Sequence, residues 1–109
     1  MSKSAPAPPR QGDVLISEPS PLTGERELCA VVSSDVYNSA GGRTVLVAEI
    51  ETGTRYFATA FAVDSEYGVV LADRVVWLPV DMLGEKFGQL TPTQREEVVA
   101  RIVTVLCGA

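Results

Sequence analysis

Residues 44–63 read TVLVAEIETGTRYFATAFAV, and this stretch decides the fold class. Both halves are rich in β-branched and aromatic residues, as is typical of strands. Thr52-Gly53 lies between the halves, and a glycine at that point suits a tight turn. The stretch therefore predicts a β-hairpin whose strands are Thr44–Glu51 and Arg55–Val63.

Four shorter apolar runs flank this hairpin, and turn-forming residues bound each of them. The runs are Asp13–Ser17, Leu28–Ser33, Val69–Ala72 and Val75–Leu78. Loops are expected at 18–25, where two prolines and a glycine interrupt pairing, and at 37–42 and 64–68. Six short strands predict a mainly β fold, built on a small, strongly bent antiparallel sheet or partial SH3-like barrel.

The carboxyl-terminal segment carries a strong helix signal. In Thr91-Pro92-Thr93-Gln94, threonine at the N-cap and glutamine three residues later form a capping box, and proline takes its favoured first position. The apolar positions that follow are Val98, Val99, Ile102, Val103, Val105 and Leu106. They cover more than the usual stripe, so we expect a helix that closes the fold and is buried on two sides, by the sheet and by a partner subunit. The fold class is therefore α+β.

Length and composition predict one domain. The chain has 109 residues, of which 46% are hydrophobic, and this is enough for one small core. Residues 1–9 are rich in Ser, Ala and Pro and are expected to be a disordered tail before a single domain at 10–109. No stretch approaches the roughly 18 apolar residues of a membrane span, so we expect a soluble, cytoplasmic protein without membrane contact. Cys29 and Cys107 match no metal-ligand spacing and are expected to be reduced and buried.

The absence of histidine excludes several classes of enzyme. Ser-His-Asp hydrolysis, Cys-His proteolysis and histidine-ligated zinc are all excluded. The sequence also lacks a glycine-rich phosphate loop, and we expect neither a metal nor a cofactor. A net charge of -5 argues against a general nucleic-acid coat but is compatible with a local basic groove. Any catalysis must use Arg, Glu, Asp, Ser, Thr or Tyr.

Four segments resemble the MazF/PemK (Kid)/CcdB toxin superfamily. Arg10–Val14 resembles the Arg-Gly-Asp/Glu-Val opening of MazF and Kid. Ala30–Asn38 is similar to their second strand, which runs into Ser-x-x-x-Tyr-Asn, and Gly68–Asp73 to the Kid strand before its active-site segment. The end of the chain, from Leu78–Lys86 to Gly108-Ala109, resembles CcdB.

The resemblance implies a homodimeric toxin that a cognate antitoxin holds inactive. MazF and Kid toxins cut single-stranded RNA without a metal, because the ribose 2'-hydroxyl attacks the adjacent phosphate. CcdB instead binds DNA gyrase and has no catalytic activity. The first mechanism needs a base, an acid and a cation, which this chain can supply without histidine.

Candidate site residues follow from the resemblance. The MazF arginine before the second strand corresponds to Glu27, one residue after Arg26, and the threonine ending the third strand corresponds to Glu51, beside Thr52. We therefore expect Arg26, Glu51 and Thr52 to be catalytic, with Arg26 on the phosphate and Glu51 as the base. The expected RNA-binding residues are Glu27, Ser33, Tyr37 and Asn38.

Three function classes stay open. The Kid arginine and aspartate correspond to Val76 and Pro79, so this pair is missing here. The terminal Trp-Gly-Ile of CcdB corresponds to Cys107-Gly108-Ala109, which keeps only the glycine. Alternatives to the endoribonuclease are therefore a gyrase-binding toxin and a binding module without toxicity. Simpler interpretations also exist: a solvated charge cluster at 26–27, an ordinary strand face at Glu51, turn chemistry at 37–38 and a surface pair at 73–74. Trp77 is expected in the core or a dimer interface.

Overall fold

The computed structural model describes residues 7–17, 26–52 and 61–108. Within these ranges the elements, in chain order, are β1 (Asp13–Ser17), β2 (Leu28–Val31), α1 (Asp35–Asn38), β3 (Thr44–Glu51), β4 (Ala62–Ser65), β5 (Gly68–Pro79), a 3-10 turn (Val80–Met82), β6 (Leu83–Gln89) and α2 (Pro92–Cys107). Tail residues 1–6, the expected loop at 18–25 and positions 53–60 lie outside the described residues. The predicted hairpin between Thr44–Glu51 and Arg55–Val63 is wrong, because β3 pairs with β2 and β5, and β4 pairs with β5.

The strands form one antiparallel sheet in the order β4-β5-β3-β2-β1-β6. The sheet is open, and α2 follows it at the end of the chain. This confirms the predicted mainly β fold with a carboxyl-terminal helix. Because β2 and β3 are antiparallel, the start of β2 and the end of β3 lie at the same end of the sheet, where Cys29 pairs with Glu49.

Both faces of the central strands are apolar, since successive side chains point to opposite faces. One face packs against Val98 and Ile102 of α2, in a cluster that includes Val14, Ala30, Val32, Ala48, Ile50 and Val70. The other carries Leu15, Cys29, Val31, Val45 and Val47, with Leu78, Val80 and Leu83 packed against it. Those last three residues come from the end of β5, the 3-10 turn and the start of β6. The chain therefore folds back over this face.

The two runs predicted at Val69–Ala72 and Val75–Leu78 belong to one strand, β5. The prediction treated the polar pair between the runs as a break. In the structure a bulge absorbs this pair, because Ala48 faces Val75 while Glu49 faces Leu71.

β6 was not predicted, because its sequence LGEKFGQ has no apolar alternation. The strand pairs with β1 at the edge of the sheet, where polar side chains can face solvent. Its position is fixed by the buried carboxylate of Asp13. This group accepts hydrogen bonds from Gln89 Nε2 at 2.9 Å and the backbone N–H of Arg10 at 2.9 Å, and it pairs with Lys86 Nζ at 3.1 Å.

The predicted start of α2 is confirmed. Thr91 Oγ1 accepts from the backbone N–H of Gln94 at 3.1 Å, and Gln94 Oε1 accepts from the backbone N–H of Thr91 at 3.0 Å. The sheet buries one side of α2, through Val98 and Ile102, and the predicted burial of the other side by a partner subunit stays a prediction. The outer side chains Val103, Val105 and Leu106 are exposed.

The cysteines differ from each other. Cys29 is buried on β2 and its thiol is free, as expected. Cys107 is also free, but it is exposed at the end of α2, so its predicted burial is wrong. It lies beyond the part of the helix that the sheet covers.

Candidate functional site

The candidate site lies where β2 begins and β3 ends. Continuing the pairing of Cys29 with Glu49 by two residues brings Glu27 level with Glu51. β1 holds this end of β2, because Ser17 N donates to the backbone oxygen of Glu27 at 2.8 Å. Ser17 Oγ in turn accepts from Glu27 N at 3.1 Å. Antiparallel pairing therefore brings together two segments that are more than twenty residues apart in sequence.

A cleft of about 340 Å³ opens at this end of the sheet. Its polar lining includes Arg26, Glu27, Glu51 and Thr52, and Glu49 contributes a third carboxylate. The structure thus brings together the three predicted catalytic residues and one of the predicted RNA-binding residues. One guanidinium, carboxylates and a hydroxyl in one cleft can bind a phosphate and move a proton.

The structure does not bring Ser33, Tyr37 and Asn38 to this cleft. Ser33 follows the opposite end of β2, and its Oγ donates to Asn38 Oδ1 at 2.5 Å while accepting from Leu46 N at 3.1 Å. Asn38 Nδ2 donates to the backbone oxygen of Ser33 at 3.0 Å. Both side chains are buried, so their polar groups join α1 to β3. Among the described residues only glycines have a positive φ, so Asn38 is not in the left-handed region.

Tyr37 and Trp77 form an exposed aromatic pair on the side of α1. Their ring centroids lie 5.5 Å apart and their planes are tilted by 50°. Trp77 is 52% exposed, so its predicted place in the core of the chain is wrong. Its predicted place in a dimer interface stays a prediction.

A second cavity, of about 260 Å³, adjoins the cleft and shares Glu27, Leu28 and Glu49 with it. Its further lining is mainly apolar and includes Cys29, Val47, Val75, Val76 and Leu78. Arg74 also lines it, with its Nη1 3.9 Å from Glu49 Oε2. Sequence analysis treated Arg74 as part of a surface pair. A polar pair inside a β-branched run can signal a bulge, and that signal could have identified this residue.

The thiol of Cys29 is not a nucleophile of this site. Burial raises its pKa from 9.0 to about 11, and the Glu27 carboxylate adds to the increase. A thiol with such a pKa is protonated at neutral pH and therefore unreactive.

Two general features can be excluded for the described residues. Within residues 7–17, 26–52 and 61–108, no group of three His, Cys, Asp or Glu side chains is arranged to hold a metal ion. No helix in these ranges is long and apolar enough to cross a membrane.

Solved structures share this fold. An endoribonuclease from Mycobacterial species is 25% identical with a TM-score of 0.73, and the alignment covers 95% of each chain. A complex described as an endoribonuclease with its cognate antitoxin, also from Mycobacterial species, is 22% identical with a TM-score of 0.73, covering 90% of this chain and 94% of the other. The MazE-MazF complex of Deinococcus radiodurans is 21% identical with a TM-score of 0.72, covering 92% and 96%.

The family comparison covers most of the sequence. Residues 16–106 match the model of a family described as type II toxin-antitoxin system toxin Rv0299. Among curated protein sequences, none is a significant match. The fold resembles that of MazF, and the family match includes every strand from β2 onward and nearly all of α2. The chain therefore belongs to the Rv0299 family of type II toxin-antitoxin toxins.

Proposed function

We propose that this toxin is an endoribonuclease that cleaves single-stranded RNA, with the ribose 2'-hydroxyl as the nucleophile. The observation that carries the proposal is the cleft in which Arg26, Glu51 and Thr52 lie together. The likeness to structures described as endoribonucleases supports this function over gyrase binding or a binding module without toxicity. The catalytic residues are those expected from the sequence.

Each group has a distinct task in the reaction. The Glu51 carboxylate takes the proton of the 2'-hydroxyl, and the oxygen forms a bond to the adjacent phosphorus. The bond from phosphorus to the 5'-oxygen breaks, and that oxygen takes a proton from solvent water, to which Glu51 then returns the proton it accepted. Arg26 balances the charge that develops on the phosphorane oxygens, and the Thr52 hydroxyl donates a hydrogen bond to one of them. The products are a 2',3'-cyclic phosphate and a 5'-hydroxyl.

The surroundings of Arg26 suit this task. The residue is exposed, and no ion pair or hydrogen bond joins its guanidinium to another described residue. A guanidinium offers two parallel donors to a phosphate, and it stays charged at every physiological pH. Arg26 is therefore available to a phosphate that enters the cleft.

Substitutions in the cleft test these roles. Arg26→Ala should reduce the cleavage rate by at least about 100-fold, the scale expected for loss of one charge-stabilising group. Glu51→Gln should reduce it similarly, because an amide cannot accept the proton. The rates are measured in EDTA on a long single-stranded RNA.

Two exposed residues serve as matched controls. Arg43 lies at the opposite end of β3, and Glu66 lies in the turn between β4 and β5, so Arg43→Ala and Glu66→Gln should keep the wild-type rate. Wild-type rates for both Arg26→Ala and Glu51→Gln would contradict the site assignment, even if the wild type cleaves RNA.

The proposed toxin acts as a homodimer in the cytoplasm, where RNA is its substrate and a cognate antitoxin restrains it. The exposed apolar side chains of Val103, Val105 and Leu106, near the end of α2, support an interface between two copies. The proposal of a cognate antitoxin is supported by the solved complexes described as MazE-MazF and as an endoribonuclease with its antitoxin.

A further inference from the structure

The bulge of β5 lies beside the candidate cleft. Ala48 of β3 pairs with Val75, whereas Glu49 pairs with Leu71, so three residues of β5 are out of register. Bulges bend a strand and re-aim its side chains, and they are common next to functional sites. Here the bulge carries Arg74, which reaches back toward Glu49 and lines the smaller, apolar cavity.

The ion pair between Arg74 and Glu49 is weak. Its closest nitrogen and oxygen are 3.9 Å apart, and 66% of the Arg74 side chain is exposed. Exposed pairs with this geometry contribute little to stability. A phosphate can therefore replace Glu49 as the partner of Arg74, and it accepts two parallel hydrogen bonds from a guanidinium.

The smaller cavity suits a flat, apolar group. Its walls include Val47, Val76 and Leu78, and its volume is about 260 Å³. Every nucleobase has an apolar face, whatever the RNA sequence, and burying that face contributes much of the binding energy of single-stranded RNA. The cavity also shares part of its lining with the catalytic cleft, so a nucleotide in one lies next to a nucleotide in the other.

We infer that this cavity is a nucleotide subsite, which takes the base of a nucleotide adjoining the cleavage point while Arg74 binds that nucleotide's phosphate. The inference rests on the proposed ribonuclease function and specifies which part of the RNA substrate this cavity binds. The carboxylates of Glu27 and Glu49 at the rim accept hydrogen bonds from an exocyclic amine. The subsite therefore prefers cytosine to uracil, which is similar in size but carries an oxygen in place of the amine.

Binding of 2'-O-methyl RNA tests the subsite separately from catalysis, because this RNA has no free 2'-hydroxyl to attack the phosphate. A short, labelled, random-sequence pool is titrated with protein at several salt concentrations. Arg74→Ala should weaken binding on the order of 10-fold, the effect of losing one hydrogen-bonded charge. It should also make the fall of log affinity with log salt less steep by about 0.7, the value for one phosphate contact on a single strand. Arg43→Ala is the matched control and should change neither.

The apolar part of the subsite needs its own variant. Val76 is 56% exposed, so tryptophan at this position can fill the cavity without entering the core. Val76→Trp should weaken binding on the order of 10-fold, the scale of one lost base contact, whereas Val36→Trp, at an 84% exposed position on α1 outside both cavities, should not. In the wild type, oligocytidine should bind on the order of 10-fold more tightly than oligouridine.

Each outcome decides the inference. Unchanged affinity and salt slope in Arg74→Ala, or unchanged affinity in Val76→Trp, would overturn the subsite, and so would a wild type that does not bind RNA. Equal binding of oligocytidine and oligouridine would overturn its recognition of an amine. A loss of self-association in Val76→Trp, measured by light scattering, would show that this face is an interface between copies. If the wild type binds but does not cleave unmodified RNA, the proposed function fails and the subsite stands.

Discussion

The Cys29 thiol lies on the buried face of β2, close to the carboxylate of Glu27. Its pKa is raised from 9.0 to about 11, so the folded state holds this proton more tightly than the unfolded state. The resulting stabilisation is complete below about pH 9 and is lost as the pH rises through 11. Two pKa units correspond to roughly 3 kcal/mol of unfolding free energy.

Denaturant titrations at several pH values between about 8 and 11.5 check this expectation, because this range includes the pKa of 9.0 in the unfolded state and of about 11 in the folded state. The unfolding free energy of the wild type should fall by roughly 3 kcal/mol more than that of Cys29→Ala across this range. Cys107→Ala, which alters the exposed cysteine, should follow the wild type. Parallel curves for wild type and Cys29→Ala would contradict the raised pKa.

Single residues also mark the limit of sequence analysis. Arg26, Glu51 and Thr52 were predicted together from the resemblance to the toxins, and they lie in one cleft because β2 and β3 pair antiparallel. Ser33 and Asn38 belong to a motif shared with the toxins, but their side chains bond to each other inside the fold. The sequence does not distinguish these cases, since a buried hydrogen bond and a bound ligand require the same polar groups.

At the scale of elements, the turn from β4 to β5 depends on Gly68. Its φ is +129°, and a Cβ built there would lie 2.7 Å from the backbone oxygen of Glu51. Gly68→Ala should therefore lower the unfolding free energy by about 2–3 kcal/mol, the range for a strained backbone position. Thermal unfolding measures the effect, and a midpoint near that of the wild type would contradict it.

Gly42→Ala is the matched control for this turn. The nearest atom to its added Cβ is the Tyr37 hydroxyl oxygen at 3.8 Å, an ordinary contact distance. The variant should stay within about 0.5 kcal/mol of the wild type. A large loss here would indicate a general sensitivity to alanine rather than the strain at Gly68.

Local signals made some elements predictable. The start of α2 was predicted because Thr91 and Gln94 form a capping box between neighbouring residues. β6 was missed because its place depends on Asp13, about seventy residues earlier, whose buried carboxylate is bound by Lys86 and Gln89. The polar pair at 73–74 is a local signal of the bulge in β5, but the register shift itself depends on the partner strand.

At the scale of the whole molecule, the exposed apolar surface at the end of α2 predicts assembly. Leu106 is 75% exposed, and Val103 and Val105 are 45% and 46% exposed, although all three are apolar. We expect a homodimer at micromolar concentration, because two copies can bury this face against each other. Light scattering should give twice the mass of the chain, and Leu106→Glu should shift the protein toward the monomer. A wild-type monomer would contradict this interface.

The proposed reaction is cleavage of RNA through the ribose 2'-hydroxyl, in the cleft at the start of β2 and the end of β3. Its most direct test is to incubate the wild-type protein with a long single-stranded RNA in EDTA and to determine the chemistry of the new ends. We predict fragments with 2',3'-cyclic phosphate and 5'-hydroxyl ends, and no cleavage of DNA of the same sequence. RNA that stays intact, or fragments that carry 5'-phosphate ends, would contradict the claim.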